Sequence, residues 1–246
     1  MIRLIKAEWY KLAHTGILKY FILACVMFPV MTMMTDLNWY KMTLSENIFL
    51  FSQNAAIMMP MFLAIAINIP ISQSYQNKTA YYEIMDGRKT YQIIFSKIIL
   101  YTLIFVVGIT VTSGIYFSIL GITNGVGDMS DIPLRFILFE LTIIRVCIVS
   151  VLICMLVKNI IGVVIAILRF MMLDSLVVTI MTTSDSGLTF ANSQSASDWF
   201  VCGQIMKMFG ADIDNRLILI IILTFILEIA FWYALTHISY KKRLFK

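Results

Sequence analysis

Six apolar runs, each about long enough to cross a bilayer, dictate what this chain can fold into. They fall at roughly 16–35, 48–70, 97–120, 134–157, 160–181 and 216–238. Charge or turn residues bound them, as in DLNWYK after the first and GITNGVGDMSDIP after the third. The chain is 60% hydrophobic and 13% charged over 246 residues. Soluble domains are nearer half apolar and a quarter charged, so one water-facing core cannot absorb this sequence. The expectation is an all-α membrane protein, with residues 1–246 forming a single transmembrane domain of six helices. The first run has basic residues before it, as a signal peptide would. It lacks a small-residue cleavage site and exceeds the length of an h-region, so it is read as a retained helix.

Orientation follows from Lys and Arg near the ends of the runs. With both termini cytoplasmic, the inner segments collect Arg3, Lys6, Lys11, Lys19, Lys78, Arg88, Lys89, Lys97, Lys158, Lys241, Lys242, Arg243 and Lys246. The outer segments hold only Lys41, Arg135, Lys207 and Arg216. The net charge of +5 is accounted for by this asymmetry and requires no nucleic acid.

Residues 1–15, MIRLIKAEWYKLAHT, form an amphipathic pattern. At 100° per residue, Ile2, Ile5, Trp9, Leu12 and Ala13 share one arc, while Lys6, Glu8 and Lys11 lie on the rest. This predicts a helix in the inner interface, with Trp9 at headgroup depth and lysines toward anionic lipid. A positive flank that merely sets topology is the alternative.

A charged island, YYEIMDGRKTYQIIFSK at 81–97, interrupts the second and third runs. Thr79 is placed to cap a short helix and Gly87 to end it, with Thr90 capping the next helix. Tyr82 and its apolar neighbours beside Glu83, Asp86, Arg88 and Lys89 give a half-apolar, half-charged surface suited to docking. A solvated loop that only keeps the positive-inside bias is the other reading.

The opening AEWYKL, the island and the six-run layout together resemble ABC-2 type permeases, the membrane subunits of bacterial ABC exporters. The resemblance rests on Thr79, Glu83, Gly87-Arg88 and Lys97, and spans nearly the whole chain with loose motifs. It implies that residues 1–15 are an interfacial connecting helix. It also implies that the segment between the second and third spans is a cytoplasmic coupling helix for an ABC ATPase subunit. Residues Thr79, Tyr82, Glu83, Asp86, Gly87, Arg88 and Lys89 would form that interface. ATP and Mg would be bound by the partner subunit, and a second permease copy or related permease would complete the pathway. The implied location is a bacterial plasma membrane. The lone-chain form looks similar to exporters of lantibiotic- or bacitracin-type peptides. Short re-entrant helices before the last span are implied as well.

No GxxxxGK[ST] phosphate cradle occurs in the sequence, so any ATP would act through another chain. Five ionisable residues sit at span depth: Glu140, Arg145, Arg169, Asp174 and Glu228. Counting 1.5 Å per residue puts Arg145, Arg169 and Glu228 near the midplane, where Glu228 can neutralise one arginine. Such groups are costly in hydrocarbon unless paired or facing water. They predict either a polar pathway for a charged or amphipathic cargo, or ion pairs that fix the bundle. DWFVCGQIMKMFG, before the last run, is apolar enough to dip into the outer leaflet or to form a surface turn. Cys147 and Cys154 are about 10 Å apart by helical rise, too far to bridge. His14 and His237 lie near opposite ends of the chain, and no metal-ligand cluster is expected. An intramembrane enzyme is disfavoured because neither histidine and only one aspartate, Asp174, reaches span depth. The rival to an exporter subunit is a stand-alone immunity or channel-like protein without an ATPase.

Overall fold

The computed structural model describes residues 2–14, 39–77, 89–127, 131–173, 198–210 and 213–244, with scattered positions between 16 and 30. Among these residues every regular element is helical and no strand occurs. The helices are α1 (Ile2–His14), α2 (Leu44–Gln76), α3 (Thr90–Asn124), α4 (Ile132–Val157) and α5 (Ile161–Ile167). A π-helix over Leu168–Leu173 continues α5, and α6 (Val201–Gly210) and α7 (Asn215–Leu244) follow. A short 3₁₀ turn, Trp39–Lys41, precedes α2.

Among the described residues three helices are long and apolar enough to cross a membrane: Thr90–Asn124, Ile132–Val157 and Asn215–Ser239. A fourth span arises if the two bent halves of α2 count as one. The run expected at 160–181 begins as the short α5 and its π-helical extension. Most of the run expected at 16–35 lies outside the described residues, as does the island from 79 to 88.

The halves of α2, Leu44–Ala56 and Met58–Gln76, meet at 51°. Pro60 explains the position of the bend. Its ring opposes the carbonyl four residues earlier, that of Ala56, and it has no N–H to donate there. At its start, Thr43 N–H donates to Glu46 Oε2 at 2.8 Å, satisfying one group that the first turn leaves open. The preceding turn is tied down by Asn124, whose amide donates to the carbonyls of Tyr40 and Met42, both at 2.9 Å.

Helix α4 is the hub of the bundle, packing against α2, α3, α5, α6 and α7. In its most apolar window 67% of residues are buried, against 22% for α7. That places α4 inside and leaves α7 at the perimeter. The exposed residues of α3 (Leu103, Val107, Val111, Ile115 and Ile119) recur every four positions as one apolar stripe. Such continuous apolar exposure marks a surface for lipid or another protein rather than for water. Phe51, Phe117, Phe136, Phe139 and Phe209 pack largely edge to face, clamping α2, α3, α4 and α6 together.

Two expectations are corrected here. Thr90 is the first residue of α3 and Lys89 occupies the capping position before it, with no side-chain cap. Lys89 is thus a helix-entry residue, and the helix runs unbroken from there through the expected third span. On α1 the buried face is Leu4, Glu8 and Leu12, while Trp9 is exposed. Glu8, expected on the polar face, is instead buried, because α1 lies against α3 and pairs that carboxylate with Lys97. Trp9 and Ala13 remain exposed beside it.

Candidate functional site

The candidate site lies at mid-length on α4, where four elements bring polar side chains together. Arg145 comes from α4, Arg169 from the π-helix, Gln204 from α6, and Thr224 and Glu228 from α7. Glu228 divides its carboxylate between two cations. Its Oε2 accepts from Arg145 Nε at 2.6 Å, and its Oε1 accepts from Arg169 Nη2 at 2.7 Å. Arg145 Nη1 also donates to Gln204 Oε1 at 3.0 Å and to Thr224 Oγ1 at 2.8 Å. Gln204 Nε2 in turn donates to Thr224 Oγ1 at 3.1 Å and to the carbonyl of Asp198 at 2.8 Å. The Arg145 side chain is 2% exposed, Glu228 10% and Arg169 20%.

Local sequence accounts for this convergence. Thr224 and Glu228 are four residues apart and therefore stack on one face of α7. The π-helix widens the backbone spiral at Arg169; such segments often mark functional positions. Helix α6 is anchored at both ends. Val201, Ile205, Met208 and Phe209 are buried, Lys207 pairs with Asp198, and Arg135 of α4 donates to the terminal carbonyl of Met208. That last bond satisfies a carbonyl the helix end would otherwise leave open.

A cavity of about 360 Å³ opens beside the network. Arg145, Arg169, Glu228 and Thr224 form its polar wall, and Trp199, Phe231 and Trp232 stand among its apolar residues. Buried charges of this kind are sustained only by pairing and hydrogen bonding, and here both are present. The cavity can therefore hold a charged group against the arginines and an apolar body against the rings.

The other expected residues scatter. Glu140 accepts a 2.6 Å hydrogen bond from Thr110, and its Oε2 is buried with no hydrogen-bond partner among the described residues. It takes no part in the Arg145 network. Glu8 is drawn into a buried ion pair with Lys97 at 2.6 Å and a second with Lys11 at 3.1 Å, while Lys6 is exposed. Thr79, Tyr82, Glu83, Asp86, Gly87, Arg88 and Asp174 lie outside the described residues. Glu228 was expected to neutralise one arginine, and it contacts two. Gln204, Thr224, Trp199 and Trp232 were not anticipated. The spacing of Thr224 from Glu228 and the lone amide in VCGQIMKMF were the available signals. The four cysteines are free thiols. Among the described residues no group of three or more His, Cys, Asp or Glu could hold a metal ion.

No family model matches this chain, and neither the curated proteins nor the solved structures contain a match.

Proposed function

We propose that this chain is the membrane-spanning permease subunit of an ATP-driven exporter. The cargo is hydrophobic or amphipathic, and ATP with its Mg is hydrolysed on a separate cytoplasmic subunit. The observation that carries the reading is the Arg145–Glu228–Arg169 network, set at mid-length in apolar helices and open to a cavity walled by rings. Ionisable groups at that depth that face a cavity are the usual lining of a transport pathway. A bundle needing only cohesion would be better served by apolar contacts, since buried ion pairs stabilise weakly.

Three further features fit the reading. Helix α3 emerges directly from the charged island, so a push on the island would reach the bundle along one rigid element. Helix α1 is locked to the same end of α3 by the Glu8–Lys97 pair. Helix α6 stands where a re-entrant segment before the last span would be, and Gln204 ties it to Arg145. In this scheme the bundle has six spans, both termini are cytoplasmic, and a second permease completes the pathway in a bacterial plasma membrane. A stand-alone immunity or channel-like protein would keep the cavity but need no docking island.

Coexpression with a candidate ATPase separates the two. Glu83→Lys reverses charge at the docking segment, and Gly87→Val disfavours the backbone freedom expected at a helix end. The proposal expects both variants to keep the parent's yield while losing copurified ATPase and cargo-stimulated hydrolysis. Retention of the partner and of full stimulation by both variants would overturn it.

A further inference from the structure

The cavity beside Arg145 carries chemistry specific enough to indicate what it takes. Arg169 lines the cavity, and a fifth of its side chain is accessible. Arg145 lies behind it, almost fully buried and held in place by Gln204, Thr224 and Glu228. Trp199, Phe231, Trp232 and Leu227 supply the apolar lining, and Trp199, Leu227 and Phe231 are among the exposed large apolar residues. The cavity therefore opens past α7 toward the apolar perimeter of the bundle.

We propose that this cavity binds an amphiphile carrying one anionic group on an apolar body, the anion resting on Arg169 and the body against Trp199, Phe231 and Trp232. The identification rests on the transport reading for its role as cargo. Guanidinium offers planar paired donors that match carboxylate and phosphate oxygens. Attraction to an anion is strengthened where water is scarce, and a cationic amphiphile meets repulsion in the same place. Glu228 bridges the two arginines and orients both guanidinium groups. The anionic group can be the acid of a free amphiphile or the phosphate of a lipid.

The chain has four tryptophans, two of which line the cavity. A W9F/W39F chain in phosphatidylcholine nanodiscs leaves Trp199 and Trp232 as the emitters. Dibromostearate, brominated phosphatidylglycerol and a brominated stearylamine are titrated against their fluorescence. The expected result is saturable quenching by the acid, the phosphatidylglycerol or both, and only a linear, partitioning response to the amine. Which anion saturates identifies its source. Arg169→Gln should weaken the saturable component by about tenfold, Arg169→Lys less, and Lys6→Gln not at all. If the amine saturates like the anions, or no probe saturates, the inference is wrong, and this arm needs only the W9F/W39F chain, with no substitution in the cavity. An Arg169→Gln chain with unchanged melting and unchanged quenching would also overturn it. Intact ATPase copurification without acid-selective quenching would sink this inference alone, while the converse pattern would sink only the exporter reading.

Discussion

Lys97 and Glu8, 89 residues apart in the chain, meet at 2.6 Å with both side chains almost wholly buried. The pair fastens α1 to the start of α3, the end that emerges from the charged island. Glu8 also holds Lys11 at 3.1 Å, so one carboxylate organises two lysines along the seam. Removing one member strands the other in a dry contact. Glu8→Gln or Lys97→Met should therefore lower the stability of the purified chain by about 3–5 kcal/mol. The double variant E8Q/K97M should cost less than the two single losses added together. Thermal unfolding in detergent reads all three, and additive losses would mean that the pair contributes nothing as a pair.

The Arg145 network gives a second expectation. Glu228→Gln leaves two guanidinium groups sharing a neutral amide, whereas Thr224→Val removes one neutral hydroxyl. The former should destabilise the chain several-fold more, since charge-assisted bonds are roughly twice as strong and a stranded charge costs more still. Melting curves of the two variants in one detergent would check the order, and equal losses would contradict it.

Pro60 sets a third. Pro60→Ala restores a donor toward the Ala56 carbonyl and removes the ring that opposes it. The 51° bend should relax. Spin labels near Ser45 and Tyr75 should then move apart by about 4 Å, from the 1.5 Å rise of the two halves. An unchanged distance would assign the bend to packing by α4 and α6 instead of to the proline.

Two glycines in the turn after α3 provide a matched pair. Gly125 and Gly127 both have positive φ, +82° and +74°. A Cβ on Gly125 meets nothing within 4 Å, whereas one on Gly127 would fall 2.2 Å from Ser45 Oγ and 3.0 Å from Thr43 Oγ1. Gly125 lies at φ +82° and ψ +165°, a region essentially reserved for glycine, so Gly125→Ala should cost about 1–3 kcal/mol for conformation alone. Gly127→Ala adds a clash with the start of α2 and should cost clearly more. Ser45→Ala, paired with Gly127→Ala, should recover part of the difference.

Much of this protein was legible in its sequence, and the reason is physical. Runs of about 20 apolar residues admit few structures other than packed helices, so the elements over 48–70, 97–120, 134–157 and 216–238 could be located by length and hydropathy. A fixed rise per residue put Arg145, Arg169 and Glu228 at similar positions along their runs, so Glu228 could be expected to meet one arginine; that it meets both was decided by the fold. The run that became α5 and a π-helix was harder, since a change in helical hydrogen bonding leaves little trace in hydropathy.

Tertiary structure decided which faces pack and which partners meet. The sequence of α1 shows an apolar arc around Trp9, but the buried seam is Leu4–Glu8–Leu12, because Lys97 offers a partner that only folding brings within reach. Nothing in the spacing of Gln204 says that its amide will bridge Arg145 and Thr224. A periodic pattern records how often a face recurs along one helix, whereas the rotation of that helix is set by its neighbours. Apolar helices can turn against one another at little cost, so the few buried polar contacts select the arrangement: Glu8 with Lys97 at one end, and Glu228 with Arg145 and Arg169 in the middle.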